Sequence, residues 1–302
     1  MTLGFIPSDA AMLALQAGVV AAPRAVPRIE WLRRFRGWGW ALVPIASIVG
    51  VIFAIRYTSD TATWLTYLAL IAVPPLAAVA LGWAMRGSKP LAALAAVPLF
   101  AIAWAAKDSL AGEAAGSILS ALSCVTLGVL LAALTPPGWL KVGILLMAGA
   151  DVWLVASDLL QNPNATLGAA QPAVGLPQLQ SEIFGSVTMG YGDLFVAGLL
   201  GAVLAHRRRL QLSGALLTLG IAAVFDLLFF VVSELPATVP VALALITIEL
   251  WELAARRRAS ATQCLSSPVD AGGLDSSASD VIASCPRAAS SSTSVASSAD
   301  RA

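Results

Sequence analysis

Residues 116–135 read Gly-Ser-Ile-Leu-Ser-Ala-Leu-Ser-Cys-Val-Thr-Leu-Gly-Val-Leu-Leu-Ala-Ala-Leu-Thr, with no charge anywhere in the run. As a helix rising about 1.5 Å per residue, such a run is about 30 Å long, the thickness of a bilayer's hydrocarbon core. It predicts a membrane-spanning helix. Upstream, Trp38–Arg56, Ala62–Met85 and the shorter Leu91–Ala106 have the same character; downstream, so do Trp139–Leu160, Ser186–Ala205, Leu212–Val232 and Pro236–Ala255. Turn chemistry separates them at Arg86-Gly87-Ser88-Lys89-Pro90, Pro136-Pro137-Gly138 and Glu234-Leu235-Pro236. Prolines inside runs (Pro44, Pro74, Pro75, Pro98, Pro240) are tolerated where neighbouring helices satisfy the freed carbonyls. The expected fold class is all-α, a polytopic transmembrane bundle of about eight spans.

Composition agrees. The 302-residue chain is 58% hydrophobic and 12% charged, with a mean hydropathy of +0.83. Soluble domains carry about a quarter of their residues as Asp, Glu, Lys and Arg, so this chain cannot clothe a water-facing surface of its size. A soluble enzyme, a nucleic-acid binder and a secreted disulfide scaffold are poor readings, and a net charge of +1 gives no general pull toward nucleic acid. One histidine, His206, and three scattered cysteines, Cys124, Cys264 and Cys285, form no metal-ligand pattern. No metal and no cofactor are expected.

Residues 1–37 read as a cytoplasmic or interfacial arm: Ala10–Ala22 is apolar but short and broken by Gln16 and Gly18, with a ninth span as the alternative. From residue 256 the chain turns Ser- and Ala-rich and reads as a disordered tail over 256–302. Between them lie four N-terminal spans, 38–138, and a second half, 139–255. Lys and Arg placement orients the bundle. Arg24, Arg28, Arg33, Arg34, Arg36, Arg86, Lys89, Lys141, Arg207–Arg209, Arg256–Arg258, Arg287 and Arg301 fall on one side, against Arg56 and Lys107 on the other. Both termini are therefore expected in the cytoplasm, and the Ala- and Gly-rich composition suggests a bacterial plasma membrane.

Carboxylates inside spans are costly, and their first reading is functional. Asp151, Asp193 and Asp226 stand roughly 13, 10 and 9 Å below the outer ends of their predicted spans. Glycines flank two of them, in Ala148-Gly149-Ala150-Asp151 and Met189-Gly190-Tyr191-Gly192-Asp193, and small residues let backbones approach closely. Asp226 sits among bulky neighbours, in Val224-Phe225-Asp226-Leu227-Leu228, and reads as accessory. Two carboxyls held together in a dry site share one proton and titrate as a pair. One then draws a proton from water while the other polarises a carbonyl.

Gly190-Tyr191-Gly192-Asp193 resembles the Gly-x-Gly-Asp motif of the presenilin and signal peptide peptidase family of intramembrane aspartic proteases. Asp151, one span earlier, resembles the acid of that family's Tyr-Asp motif, and Pro236-Ala237-Thr238 resembles its Pro-Ala-Leu motif. The order of the three elements is that of the family, and the likeness covers about Trp139–Ala255. Ala150 stands where the family has tyrosine, and Thr238 where it has leucine. The resemblance implies a presenilin-like catalytic half, with Asp151 and Asp193 as the catalytic dyad. Gly190, Tyr191, Gly192, Pro236, Ala237 and Thr238 would then position substrate. It further implies cleavage of transmembrane-helix or signal-peptide substrates within the lipid bilayer, without metal or cofactor. The Asn162–Gly185 connection has no Lys or Arg and Glu182 as its only charge, which places it outside. That orientation resembles signal peptide peptidase more than presenilin, which implies substrates running with their N-termini in the cytoplasm. The same connection, with Pro163, Pro172, Gly175 and Pro177, is long enough to gate the site or to offer a strand edge to unwound substrate.

Other polar positions have simpler readings. Asp158 reads as a solvated helix end, Glu249 and Glu252 as ion-pair partners of Arg256–Arg258, His206 as an exposed anchor and Cys124 as a small core residue. Trp38, Trp40, Trp64, Trp83, Trp139 and Trp251 cluster at span ends, as an aromatic belt does. Two further functions fit the same acids: a proton-coupled transporter with Asp151, Asp193 and Asp226 as its relay, and a membrane-helix binder of the same fold that does not cleave. Transporters commonly carry internal repeats, and no convincing repeat is found.

Overall fold

The structure is a computed structural model and describes residues 5–25, 34, 37–43, 46, 50, 60–157, 176–230 and 236–266. Helix α1 (Phe5–Ala21) is followed by a 3₁₀ turn at Trp38–Leu42 and by α2 (Asp60–Val79), which widens into a π-turn at Ala80–Ala84. A second 3₁₀ turn (Pro90–Ala95) leads into α3 (Ala96–Ala105), then α4 (Leu110–Leu134) and α5 (Pro137–Ala156). Strands β1 (Ser181–Phe184) and β2 (Val187–Gly190) precede α6 (Tyr191–Leu204), α7 (Arg208–Asp226) with a 3₁₀ turn at Leu227–Phe230, and α8 (Thr238–Ser266).

Five helices are long and apolar enough to cross a membrane: Thr63–Ala84, Leu110–Leu134, Pro137–Ala156, Arg208–Asp226 and Thr238–Ser260. Each coincides with an expected span. The expected third and sixth spans are apolar but shorter, at Pro90–Ala105 and Tyr191–Leu204. The sixth is shorter because residues 187–190 leave the helix to pair as β2. Most of the expected first span, Trp38–Arg56, lies outside the described residues, as do Asp158, Pro163, Pro172, Gly175 and the tail beyond Ser266.

Helix α4 is the central post. Its buried positions include Leu119, Ser120, Cys124, Val125 and Val129, and α2, α3 and α6 all pack on it. Against α6 the backbones touch: a Cβ on Gly128 would lie 2.6 Å from the Gly198 carbonyl oxygen, and one on Gly198 would lie 2.6 Å from that of Cys124. Small residues permit such an approach in lipid, where dispersion and not the hydrophobic effect joins helices. On the other flank, the Thr126 hydroxyl donates to the Leu76 carbonyl at 2.7 Å, one turn before α2 widens past Pro74 and Pro75. The bond ties α4 to α2 just before the α2 geometry changes.

The N-terminal segment departs from expectation. Instead of an interfacial arm, residues 5–21 form α1, which packs against α6 and α7 with Met12, Gln16, Val19 and Val20 buried. Gln16, which on paper interrupts an apolar run, satisfies itself across the bundle by donating to the Ala237 carbonyl at 3.0 Å. Buried amides are tolerated when paired in this way.

The basic connections meet at one end of the bundle. Pro23 bridges Met85, Arg24 N donates to Ala84 O at 3.0 Å, and Arg86 N donates to Ala22 O at 2.9 Å. The Arg86 side chain donates to Gln211 Oε1 at 2.9 Å and to the Ala205 carbonyl, while Arg208 reaches Ala21 O at 2.8 Å. Desolvation and the neighbouring Arg208 charge lower the Arg86 pKa. Gln211 Nε2 is the keystone, within 2.9–3.2 Å of the carbonyl oxygens of Val20, Pro23 and Gly201. Gln211→Leu would strand those buried acceptors, and we expect a loss of about 2 kcal/mol or more, read as a lower thermal unfolding midpoint.

Two compact units emerge, 1–249 and 250–302. In the second, the described chain stays helical through Ser266 where a disordered tail from residue 256 was expected, and Arg256 pairs with Glu252 at 3.9 Å. Glu249 instead pairs with Lys141 of α5 at 2.5 Å. His206 is exposed and Cys124 is fully buried, as expected.

Candidate active site

Asp193 is only the third residue of α6, so it sits at a helix start and not deep within a span. Strand β2 runs directly into that helix, and the Asp193 carboxylate folds back so that Oδ2 accepts the Gly190 N–H at 3.1 Å. A carboxylate at this position satisfies one of the orphan donors of a helix N-terminus and benefits from its dipole. Gly190 is suited to the turn: an added Cβ would lie 3.1 Å from that same oxygen. Gly192 and Gly149 have open space where a Cβ would go. The motif glycines therefore do not bring backbones together, contrary to the expectation; Gly128, Gly198 and Gly201 do.

Asp151 lies on α5, which packs against α6, and the Asp151 and Asp193 carboxyls are close enough for their charges to interact. Thr238, the first residue of α8, donates its hydroxyl to Asp151 Oδ2 at 2.6 Å. The departure from leucine at this position is thus a hydrogen-bond donor aimed at the first acid. One oxygen of each carboxyl is engaged by the protein. Pro236 and Ala237 lead directly into Thr238, and Gln16 of α1 clamps the Ala237 carbonyl from behind.

Tyr191 faces α4. Ser123 gives its proton to Ser120 O at 2.7 Å, so in the 2.7 Å contact between Ser123 Oγ and Tyr191 Oη the tyrosine is the donor. The Cys124 thiol donates to the Tyr191 carbonyl at 3.7 Å. Both contacts anchor the start of α6, two residues before Asp193. Asp226 is elsewhere: its hydrogen-bonding and electrostatic neighbour is Asp9 of α1.

The hairpin before Asp193 was foreseen only as a connection able to offer a strand edge. Phe184 pairs with Val187 across a two-residue turn whose first residue, Gly185, has φ 62°, a conformation that favours glycine. Glu113 of α4 accepts the Gly185 N–H at 2.7 Å, and the hydroxyls of Ser117 and Ser120 donate to the Ile183 and Leu179 carbonyls at 3.3 and 3.2 Å. Those bonds lay the β1 side of the hairpin on α4. Glu182, read as a loop charge, is completely buried. Among the described residues, no cluster of His, Cys, Asp and Glu is arranged to hold a metal ion. Comparison with family models, with curated proteins and with solved structures finds no match, so the functional reading rests on these residues themselves.

Proposed function

We propose that the chain is an intramembrane aspartic endopeptidase, related to the presenilin and signal peptide peptidase family, in which Asp151 and Asp193 form the dyad. The observation that carries the reading is two acids on adjoining helices within electrostatic reach of each other, with a hydroxyl from the Pro-Ala-Thr turn bonded to one of them. With one proton between the two carboxyls, the ionised acid takes a proton from water as the water attacks the scissile carbonyl. The protonated acid gives its proton to the carbonyl oxygen. As the diol collapses and the C–N bond breaks, one of its hydroxyls gives its proton to the ionised acid while the protonated acid gives its own to the leaving nitrogen, so the pair ends each turnover with the single proton it began with. The outer edge of β2, which ends at Gly190 beside Asp193, is the natural place for an unwound substrate to add a strand. We place both termini in the cytoplasm, from the gathering of the basic connections, and the membrane as a bacterial plasma membrane, from the Ala- and Gly-rich composition.

The test is reconstitution of the purified chain in lipid vesicles with a fluorogenic transmembrane peptide. Cleavage that is blocked by a transition-state-mimicking aspartic protease inhibitor supports the reading. Inhibitor binding without cleavage would leave a non-cleaving binder, and peptide left intact with proton-driven solute uptake would mean a transporter. The pairing of Asp226 with Asp9 speaks against a relay through all three acids. Thr238→Val removes the donor to Asp151 and is expected to slow cleavage about 10- to 100-fold, the worth of one charge-assisted hydrogen bond, while Thr238→Ser keeps most of the rate.

A further inference from the structure

Glu182 is 0% exposed, and neither carboxyl oxygen has a hydrogen-bond partner. It stands on β1 opposite Met189, itself part of the core. The neighbouring Ser120 hydroxyl gives its proton to Leu179 O. The titratable groups whose charges reach Glu182 are Asp193 and Tyr191 from α6 and Cys124 from α4. At the turn, α4 contributes Glu113, which holds Gly185, and α1 contributes the uncharged Ser8. Burial without a counter-charge disfavours the ionised carboxylate against the neutral acid.

We propose that Glu182 lies beside the site and outside its chemistry, a neutral positioning residue that seats the hairpin on α4 and adds no second charge next to the Asp151–Asp193 pair. Its consequence for catalysis rests on the protease reading; its neutrality does not. The geometry supplies the link to the dyad. Glu182 lies in the strand paired with β2, and β2 delivers the Gly190 N–H that holds Asp193. Ionising Glu182 would put a second charge beside Asp193 and an unpaired charge under the hairpin, loosening the turn that aims the acid.

Burial, and after it the Asp193 charge, push the Glu182 carboxyl well above the usual carboxylate range. An acid whose pKa is raised on folding contributes stability that is fully present below the unfolded value, about 4.3 for Glu, and is lost as pH rises toward the folded value. The wild-type chain should therefore melt at progressively lower temperature as pH rises above about 5 and should lose activity on the alkaline side.

Glu182→Gln tests this, because glutamine keeps the shape of the neutral acid and cannot ionise. Expected are cleavage near neutral pH within about twofold of wild type, an alkaline limb moved to higher pH, and a flatter dependence of melting temperature on pH. Loss of cleavage by more than about tenfold at every pH, with the fold intact, would overturn the proposal by making Glu182 a proton donor in the chemistry. An unchanged alkaline limb and an unchanged melting slope would overturn it equally. Should Glu182→Gln fail to fold, Glu182→Met, apolar and of similar length, is expected to fold; failure of both overturns neutrality. If the wild type cleaves nothing, the protease reading falls alone, and the melting curves of wild type and Glu182→Gln still decide whether Glu182 is neutral.

Discussion

Asp193→Asn and Asp151→Asn are each expected to lower cleavage of a transmembrane reporter on the order of 10⁴-fold or more, with the protein still folded in the membrane. Asparagine is the informative replacement. At position 193 its side-chain oxygen can still accept the Gly190 N–H, so the start of α6 keeps its cap. At position 151 its oxygen can still accept from Thr238. What each variant loses is the ability to hold or take a proton, and a dyad in which either member is an amide can no longer do both halves of the exchange. Because the acids act as a unit, the double variant should be no worse than either single one. Cleavage assays with melting curves on the same preparations check both points. Normal cutting by either variant would remove that acid from the chemistry, while collapse of the fold in both would point to a structural acid pair.

How far the residues announce this arrangement depends on which force acts at each place. The five long helices coincide with the expected runs, because a window of apolar residues reports directly on length and solvent. The two acids and Thr238 were likewise singled out from local motifs. Three features were not foreseen, and two of them are decided by partners distant in sequence. Helix α1 is buried because Gln16 finds the Ala237 carbonyl, 221 residues away. Glu182 counted as evidence for an exterior loop, since charge normally seeks water, but the hairpin carries it under α4. The hairpin itself had a signal: Gly185-Ser186 between Ile183-Phe184 and Val187-Thr188 is a two-residue turn flanked by strand-prone residues. Starting the apolar span at Ser186 split the hairpin between a connection and a helix, and placed Asp193 too deep within that helix.

The glycines carry the last expected result, which concerns stability. Gly198→Val should lower the melting temperature by roughly 5–10 °C, corresponding to about 3 kcal/mol of overpacking. Gly149→Ala, the control in α5, should be neutral or slightly stabilising, since open space awaits its methyl group and alanine favours helix by up to about 1 kcal/mol. The asymmetry follows from what each Cβ would meet. At Gly198 it would lie 2.6 Å from the Cys124 carbonyl oxygen, a backbone atom that no rotamer change can move. Relief would require α6 to withdraw from α4, against a second clamp at Gly201, where a Cβ would strike the Val20 carbonyl of α1. Withdrawal would also strain the Ser123–Tyr191 and Cys124–Tyr191 bonds that anchor the start of α6. Asp193 follows Tyr191 by two residues, so Gly198→Val should cost cleavage as well as stability even below its melting temperature. A variant that melts and cuts like wild type would show that α4 and α6 do not meet at these glycines, and the support behind Asp193 would have to be sought elsewhere.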